Sequence, residues 1–537
     1  MDREEVAKSA EVIPLPVNSV TLTPLDKPKQ HIVRSTKVVA LMTLISRVLG
    51  FVRDMVLALI FGASPAFDAF VVAFKLPNFM RRLFAEGAFS QAFVPVLSEY
   101  RVQRPHHDVQ KFINHIAGSL GAVLLLIVIL AELIAPAIIL VFAPGFAKDP
   151  LSYHYATHML YITFPYLLLI AMTAFAGAAL NTYHRFALAA FTPTLLNIVM
   201  ILVAWLWAPH TKEPIYTLAW GVLIGGFVQL FAQYPCLKSI HLLGIPKPSW
   251  RDPGVRRVLK LMIPALFGVS VAQLSLLIDN FFASFLQAGS ISWLYYSDRL
   301  IYFPQGVIGV ALATVVLPSL SRHHAKAEGD AYSKTLDWAL RVSLLVGLPA
   351  AIGLMILSGP ILLTLIYRGA FSFFDVTMTT KSLQAFSIGL PAFMVVKILA
   401  SGFYSRQNIK TPVKIAAFAM IVNLVFNLIL VFPLAHAGLA LSTSLASIFN
   451  SICLFVLLHR SKLFTPSAGW PMLWVRLLSA NGIMAILLYW LSGDLQQWLT
   501  WGLMARIWHL VLIIVAGMVS YFVCLWVFGL RKAHFRP

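Results

Sequence analysis

The sequence has few charged residues, and this scarcity limits the class of protein. Charged side chains make up 12% of its 537 residues, whereas soluble domains carry roughly 25%. Hydrophobic residues make up 59%, and apolar runs of about 20 residues, each long enough to cross a bilayer as a helix, recur along the chain. These features exclude a large soluble enzyme. They predict an all-α integral membrane protein with about 14 transmembrane helices.

Cysteine is also scarce, and no cysteine pattern indicates a chemical site. Cys236, Cys453 and Cys524 are far apart in apolar segments, without a CxxC pair or metal-ligand spacing, so we expect them to be packing residues. Residues 1–35 contain acids and prolines but no apolar core. We therefore expect a flexible cytoplasmic tail there and not a signal peptide.

Acidic residues are few beside basic ones, 21 against 41, which gives a formal net charge of +20. In a membrane protein this excess indicates cytoplasmic loops and contact with anionic lipids, so we expect membrane lipids and no nucleic acid as partners. The basic residues concentrate in alternate loops, near residues 101–111, 185, 238–260, 322–334, 406–414, 460–462 and 531–536. This alternation predicts a multi-pass protein with both termini in the cytoplasm.

An internal repeat is visible in the sequence. Tyr183-His184-Arg185 is followed by Thr192-Pro193, and Tyr404-Ser405-Arg406 is followed by Thr411-Pro412. The spacing of about 220 residues is typical of transporters built from repeated halves. We predict two six-helix lobes around a central cavity, residues 36–245 and 246–460, with two added helices in residues 470–530. Chance recurrence of these residues at helix ends is the alternative.

Charged residues interrupt the first long apolar segment near its middle. Arg47, Arg53 and Asp54 would lie at a depth where an ion costs about 2.5–3.5 kcal/mol, so we expect them to face a polar chamber. Arg47 and Asp54 are seven residues apart and share a helix face. A lock between helices is therefore the alternative to ligand binding for these two residues. Arg53 points elsewhere from Arg47 and is the better ligand candidate.

The second segment carries a charged stripe. Asp68, Lys75, Arg82 and Glu86 lie on nearly one face, because steps of seven or eleven residues return a helix to the same side. The stripe mixes both signs, so part of it is expected to be structural ion pairing. Pro77 within it should kink or locally open the helix.

In the second half, Asp298 and Arg299 precede a broken stretch at Pro304. Arg299 would face the arginines of the first half across the midline. Converging arginines repel one another and need an anion, and guanidinium groups match phosphate oxygens bidentately. The predicted ligand chemistry is a phosphate or diphosphate, and a purely structural role for Arg299 is the alternative.

A separate group of oxygen-bearing side chains lies in apolar segments of the second half: Asp279, Asn423, Asn427 and Thr443. One carboxylate with amide and hydroxyl oxygens suits a small hard cation such as Na⁺. Hydrogen bonding between helices explains the same residues equally well.

Long motifs resemble one known family. They are Ser46-Arg47-Val48-Leu49-Gly50-Phe51-Val52-Arg53-Asp54, Asp68-Ala69-Phe70, Lys75-Leu76-Pro77-Asn78, and the run from Arg81 through Glu86 to Pro95. With Tyr295 to Arg299 and Gly402 to Gln407, these motifs closely resemble the MurJ (MviN) family of bacterial lipid II flippases. The resemblance covers nearly everything after residue 36. It implies membership of the multidrug/oligosaccharidyl-lipid/polysaccharide exporter superfamily.

The resemblance also implies roles for individual residues. In similar proteins a cationic cavity binds the diphosphate of lipid II, and the matching positions here are Arg53, Arg81 and Arg299, with Arg47 and Asp54 also important and Asp68, Asn78 and Glu86 as further polar positions. The helical stripe favours Arg82, whereas the resemblance favours its neighbour Arg81. The oxygen-bearing group resembles the Na⁺ site of some members, but Asn427 stands where those members carry a second acid. The last two helices are implied to form an apolar groove for the lipid tail.

The function expected from these observations is translocation of lipid II across the bacterial inner membrane by alternating access, with no covalent chemistry. A flippase for another undecaprenyl-linked oligosaccharide, or a cation or drug antiporter of the same superfamily, is one alternative. A membrane glycosyltransferase is another, although the loops are short and no Asp-x-Asp motif occurs. Peptidoglycan synthesis enzymes are candidate partners at the cytoplasmic loops.

Overall fold

The computed structural model describes residues 28–82 and 89–530, and these residues are almost entirely helical. No β-strand occurs within these two ranges. The all-α fold that the apolar runs predict is therefore confirmed. The first helix already begins at Pro28, so residues 28–35, which we expected in the flexible tail, are helical. The rest of the predicted tail lies outside the described residues.

The N-terminal helix group consists of α1 (Pro28–Phe61), α2 (Pro65–Arg81), α3 (Ser90–Gln103), α4 (His106–Leu133), α5 (Ala135–Phe142), α6 (Pro150–Thr163), α7 (Tyr166–Thr182), α8 (Phe186–Leu202) and α9 (Ile215–Ser239). Prolines at the starts of α2 and α6 cost no helical hydrogen bond, because the first amides of a helix have no partner there. Ser64 and Asp149 cap these two starts, each accepting a backbone N–H bond of 3.2 Å. Within the group α1 packs against α8, α2 against α6, and α7 and α8 against α9.

The C-terminal helix group consists of α10 (Pro253–Ala283), α11 (Ser290–Pro304), α12 (Val310–Ala325), α13 (Gly329–Ile356), α14 (Ser358–Leu365), α15 (Phe373–Tyr404) and α16 (Lys410–Arg460). A π-helical turn, Gln305–Gly309, joins α11 to α12 at the break predicted near Pro304. α16 is two helices that meet at Ala435, whose φ of 49° and ψ of −129° are not helical. In this group α10 packs against α16 and α11 against α15.

Three further helices follow: α17 (Trp470–Ser492), α18 (Leu495–Thr500) and α19 (Leu503–Val527). α17 and α19 pack against each other and against α13 and α14 of the C-terminal group. Asp337 fixes the start of α17, because it accepts hydrogen bonds from Trp470 Nε1 at 2.7 Å and from Arg341 Nε at 2.7 Å. Arg506 fixes α19 by donating to the carbonyl oxygen of Leu363 at 3.2 Å. The added helices are thus attached to the C-terminal group.

Within the described ranges, nine helical stretches are long and apolar enough to cross a membrane by length and composition. One of them, Lys410–Arg460, contains the two helices of α16, and another, Pro150–Thr182, contains α6 and α7. The protein is therefore a multi-pass membrane protein. The count of about 14 spans and the predicted domain boundaries stay predictions.

Hydrogen bonds join the two helix groups at the end of the bundle that carries Gly62, here called the Gly62 end. Gly145 N donates to Ser284 Oγ at 3.0 Å, and Ala370 N donates to the carbonyl oxygen of Leu59 at 2.9 Å. Gly62 itself has a φ of 59° and receives a 3.2 Å bond from the Tyr296 hydroxyl. These bonds hold α1 and the segment that follows α5 against the second half of the chain.

The opposite end of the bundle carries the basic loops and is here called the basic end. Arg257, near the start of α10, forms a 2.8 Å ion pair with Glu99 of α3, and this hydrogen-bonded partner lowers the pKa of Glu99. His115 of α4 lies 2.9 Å from Asp252, which caps α10. α10 is therefore attached to α3 and α4 at this end, and the cavity described next lies between the two ends.

Candidate functional site

A cavity of about 770 Å³ lies between the N-terminal and C-terminal helix groups. Its walls come from α1, α2, α3, α7, α8 and α9 on one side and from α10 and α11 on the other. The charged side chains described along it are six cations and two carboxylates: Arg47, Arg53, Lys75, Arg81, Arg82 and Arg299, with Asp54 and Asp298. Because the cations outnumber the carboxylates, the cavity attracts an anionic ligand.

Arg53 is held by residues of both α1 and α8. Its Nε and Nη2 donate to Asp54 Oδ1 at 3.0 and 2.7 Å, and its Nη1 donates to Asn197 Oδ1 at 3.0 Å. Asn197 in turn donates to the carbonyl oxygen of Ser46 at 3.1 Å. Arg53 is only 7% exposed, so it is preorganised in a buried position and not free in solvent.

Tyr295 joins the two helix groups at this point. Its hydroxyl donates to Asp54 Oδ1 at 2.8 Å and lies 3.3 Å from Arg53 Nη2. The guanidinium of Arg299 lies over its ring, 4.8 Å from the centroid, a cation–π contact. Arg299 Nε also lies 3.6 Å from Asp54 Oδ2. Two arginines from different halves of the chain therefore meet at one carboxylate.

Arg47 lies at the contact between the two helix groups, a position that fits the lock between helices offered as the alternative for Arg47 and Asp54. Its guanidinium lies against Gly306, in the π-helical turn after α11, where a side chain on that residue would collide with it. Asp54 forms its own contact between helices with Arg299. Arg47 thus reaches across to the C-terminal group, and the missing side chain at Gly306 makes this approach feasible.

Two of the predicted residues on α2 lie together at the cavity wall. Arg81 Nε donates to Asn78 Oδ1 at 3.3 Å, and Asn78 Nδ2 donates to the carbonyl oxygen of Phe74 at 2.9 Å. The helical stripe favoured Arg82 as a ligand and the family resemblance favoured Arg81. Both arginines line the cavity, so either can contact a ligand there. Glu86, the third predicted residue here, lies outside the described residues.

Lys75 connects the two groups farther along α2. Its Nζ donates to Asn280 Oδ1 at 2.7 Å, and Asn280 is a buried residue of α10. Lys75 is therefore a cationic lining residue whose position is fixed by the C-terminal group.

Asp68 lies away from the cavity, which differs from the ligand role predicted for it. It accepts backbone N–H bonds from Gly289 at 2.6 Å and Ser292 at 2.7 Å, and a bond from the Ser292 hydroxyl. The two amide donors lie at the start of α11, where a helix attracts negative charge. Asp68 therefore caps a helix of the C-terminal group and holds the Gly62 end together.

The four oxygen-bearing residues of the second half do form one cluster. Asn427 Nδ2 donates to Asp279 Oδ1 at 3.0 Å and to Asn423 Oδ1 at 3.2 Å. Thr443 Oγ1 donates to Asp279 Oδ2 at 3.2 Å and accepts from Asn423 Nδ2 at 3.2 Å.

The donor set of this cluster fits a small monovalent cation after one rotation. Asn427 Oδ1 is buried and has no hydrogen-bond partner among the described residues. Turning the amide would replace its bridging NH₂ group by this oxygen, beside the oxygens of Asp279 and Asn423. Oxygen ligands of this kind suit Na⁺, and the single carboxylate gives a low site charge.

Sequence reasoning passed over several residues that complete the site. Asn197, Asn280 and Gly306 were not singled out, although they hold Arg53, Lys75 and Arg47 respectively. The two asparagines carried a usable signal, since an amide inside an apolar helix commonly bonds across helices. Gly306 carried none, because the need for a small residue depends on a side chain far away in the sequence.

Comparisons with known proteins show the family to which the chain belongs. The family described as lipid II flippase MurJ matches residues 57–509. A probable lipid II flippase MurJ of Haemophilus influenzae is 44% identical over 506 residues, covering 92% of this chain and 99% of the relative. The lipid II flippase MurJ of Burkholderia cenocepacia is 41% identical over 514 residues, covering 94% of this chain and 99% of the relative.

Solved structures give the same result at the level of the fold. A lipid II flippase MurJ in an inward closed conformation matches with a TM-score of 0.78 and 28% identity, covering 91% of this chain and 98% of that one. An inward-facing MATE family multidrug transporter of the MOP superfamily shares the fold, with a TM-score of 0.64 and 12% identity over 78% of this chain and 94% of its own. The neighbours are transporters and not enzymes, which disfavours the glycosyltransferase alternative. By these matches over most of its length, the chain belongs to the MurJ family of lipid II flippases.

Proposed function

We propose that this protein translocates lipid II, a diphosphate-linked lipid with a sugar-peptide head group, from the cytoplasmic to the outer face of the bacterial inner membrane. The observation that carries the proposal is the meeting of Arg53 and Arg299, from the two helix groups, at Asp54 within one cavity. Guanidinium groups match phosphate oxygens bidentately and stay charged at physiological pH. A diphosphate brings more negative charge than Asp54 offers, and so binds both arginines together with the other cations of the wall.

Alternating access follows from how the two ends are held. At the Gly62 end, Asp68 and the backbone bonds of Ala370 and Gly145 close the bundle. Diphosphate binding neutralises the repulsion between the arginines of the two groups, so the groups approach each other around the ligand. Closure at the basic end and opening at the Gly62 end then release the head group outside, while the lipid tail stays in the bilayer.

The basic loops set the direction of transport in this proposal. They lie in the cytoplasm together with both termini, by the positive-inside rule. Carrying one negative charge outward then gains about 2.3 kcal/mol per 100 mV of membrane potential. After release, the uncompensated cations of the cavity are drawn inward, which favours the return step. A reporter fused after residue 530 should be active in the cytoplasm, and activity on the outer side would contradict this orientation.

The cluster of Asp279, Asn423, Asn427 and Thr443 is the proposed Na⁺ site. A bound Na⁺ would supply charge neutralisation for Asp279 in the C-terminal group. The chain's own residues hold α10 to both halves of α16 there, through the hydrogen bonds described above. Binding of Na⁺ would in this way change how firmly α10 is held to α16 within the C-terminal group.

The proposed path of the lipid tail is the surface of α17 and α19. Their outward faces are strongly apolar, with Trp490 77% and Trp526 74% exposed. Because both helices are anchored to α13 and α14, a tail lying there would move with the C-terminal group.

Transport by arginine variants tests the proposal. Arg53→Ala, Arg81→Ala and Arg299→Ala should each stop lipid II from reaching the outer face in cells depleted of their own flippase, while the variants remain folded in the membrane. Arg322→Ala, an exposed arginine at the basic end, is the matched control and should transport normally. If all three cavity variants translocate lipid II at the parent rate, the diphosphate clamp is wrong.

A further inference from the structure

Two glutamines lie one turn apart on α9, and both line the cavity. Each is only 1% exposed. Gln229 is bonded at both ends of its amide, since Nε2 donates to the carbonyl oxygen of Thr192 at 3.1 Å and Oε1 accepts from the Tyr166 hydroxyl at 3.3 Å. Gln233 Nε2 donates to the carbonyl oxygen of Thr173 at 3.1 Å. Among the described residues, however, Gln233 Oε1 has no hydrogen-bond partner.

The orientation of the Gln233 amide is fixed by its neighbour. The carbonyl oxygen of Thr173 accepts hydrogen bonds and cannot donate, so the amide must present Nε2 to it. Oε1 is therefore directed to the other side, toward Gly177, where an added Cβ would lie 3.9 Å from it. A buried acceptor without a donor is unfavourable, and a ligand that brings an O–H or N–H group removes that cost.

A second acceptor lies on the neighbouring helix α8. Pro193 of α8 lines the cavity and has no amide hydrogen, so it leaves the carbonyl of Ala189 without the helical donor of that position. Ala189 lines the cavity as well, and its Cβ lies 3.5 Å from the position that a Cβ on Gly177 would take. Gln233 Oε1 and the Cβ of Ala189 thus border a space that the small residues keep open, and the Ala189 carbonyl supplies a second acceptor on this stretch of α8.

The space beside Gly177 and Gln233 is close to the cavity arginines, but it offers hydrogen-bond acceptors where they offer donors. Gln233 Nε2 lies 3.4 Å from Thr192 Oγ1, and Asn197, which binds Arg53, follows Thr192 on α8 by five residues, or about 7.5 Å along the helix axis. The acceptors therefore lie toward the basic end from the guanidinium groups, at a separation that a sugar attached to a phosphate can bridge. Because both groups are acceptors, they repel phosphate oxygens and favour hydroxyl and amide donors.

We propose that Gly177, Ala189, Pro193 and Gln233, here called the Gln233 pocket, form a second subsite that binds uncharged hydroxyl or amide N–H groups of the sugar-peptide head group. The inference rests on the proposed function and adds a determinant of specificity to it. A site built to bond a donor discriminates strongly against an analogue that lacks the donor, because its acceptor is then left unpaired. The pocket would thus distinguish lipid-linked diphosphates by what is attached to them.

The test compares two ligands on the purified full-length protein in detergent: lipid II, and undecaprenyl diphosphate, which has the same diphosphate and tail without the sugar and peptide. The parent protein should bind lipid II more tightly. Gly177→Val fills the pocket, and Gln233→Leu removes the acceptor; each should weaken lipid II binding by about tenfold and leave undecaprenyl diphosphate binding unchanged. Gly353→Val is the matched control, because no described atom lies within 4 Å of a Cβ at that position.

The outcomes separate the subsite from the proposed function. Arg53→Ala should weaken both ligands together. If the parent binds neither ligand, the proposed function fails. If the parent binds both but the Gly177 and Gln233 variants keep the parent's ratio of affinities, the subsite is wrong and the arginine clamp stands. Gly177→Val removes none of the hydrogen-bonding side chains described above, so it remains informative if Gln233→Leu does not fold.

Discussion

Replacing Asp68 by asparagine should open the Gly62 end of the bundle. The carboxylate accepts one backbone bond at Oδ2, from Gly289, and accepts at Oδ1 from Ser292. An asparagine can keep its oxygen toward Ser292, but its NH₂ group then faces the amide of Gly289, donor against donor. The substitution also removes the negative charge from the start of α11.

The size of the effect follows from these losses. A hydrogen bond to a charged group contributes about 1.5–3 kcal/mol, and 1.4 kcal/mol is a tenfold change in an equilibrium constant. Because Asp68 belongs to one helix group and α11 to the other, this energy stabilises the closed Gly62 end against the open one. A parent protein that is open there about 1% of the time would become a variant that is open roughly 10–60% of the time.

The distance between the two helix groups measures this directly. Spin labels at Lys148 and Gln287, both exposed at the Gly62 end, would report it by double electron–electron resonance in a background without the three native cysteines. The Asp68→Asn variant should show a larger population at long distance. This population should appear without any ligand.

The matched control is Asp375→Asn. Asp375 is also a buried helix-capping carboxylate, bonded to Ser372 N at 2.9 Å and Trp293 Nε1 at 2.9 Å. All three residues belong to the C-terminal group or its connecting loop, so the control should lose stability without separating the groups. An unchanged distance distribution in Asp68→Asn, or equal opening in both variants, would refute the reasoning.

Two further substitutions test other contacts. Asn427→Asp adds a second carboxylate to the cluster around Asp279, so Na⁺ should raise the melting temperature of the variant more than that of the parent; equal Na⁺ effects would show that the cluster is a hydrogen-bonded lock and not an ion site. Gly306→Ala should displace the guanidinium of Arg47, a movable side-chain end, and reduce lipid II transport on the order of tenfold with little loss of stability. Gly309→Ala, where a Cβ meets no described atom closer than 3.5 Å, is its control, and equal transport by both variants would remove Arg47 from the mechanism.

The fold was largely predictable because the membrane limits the choices. A backbone in lipid must satisfy its own hydrogen bonds, so long apolar runs can only be helices. Boundaries were less predictable. The helical segment before residue 36 is polar, so it gives no clear signal.

Some site residues could be placed from the sequence, and others could not because their partners lie far away along the chain. That Arg53 and Arg299 share a polar space follows from the cost of burying charge in lipid. The partner of Asp68 did not follow, because helical periodicity gives the face of a side chain and not the residue opposite. Its partner is the start of α11, more than 200 residues later. The charged stripe on α2 correctly grouped Lys75 with Arg82 at the cavity. It also included Asp68, which lies away from the cavity.

The Gln233 pocket shows a further limit of sequence reasoning. An amide in an apolar helix indicates a polar contact, but it does not tell which of its atoms lacks a partner. Gln229 and Gln233 look equivalent in the sequence, and only the positions of Tyr166 and Thr173 distinguish them.

A structure of this protein with lipid II bound tests the central claim most directly. We predict density for the diphosphate in the cavity between the helix groups, with phosphate oxygens within hydrogen-bond distance of Arg53 and Arg299 and with Asp54 no longer their main anion. Density for the diphosphate at the outer surface of α17 and α19, or at the start of α11 beside Asp68, would contradict it.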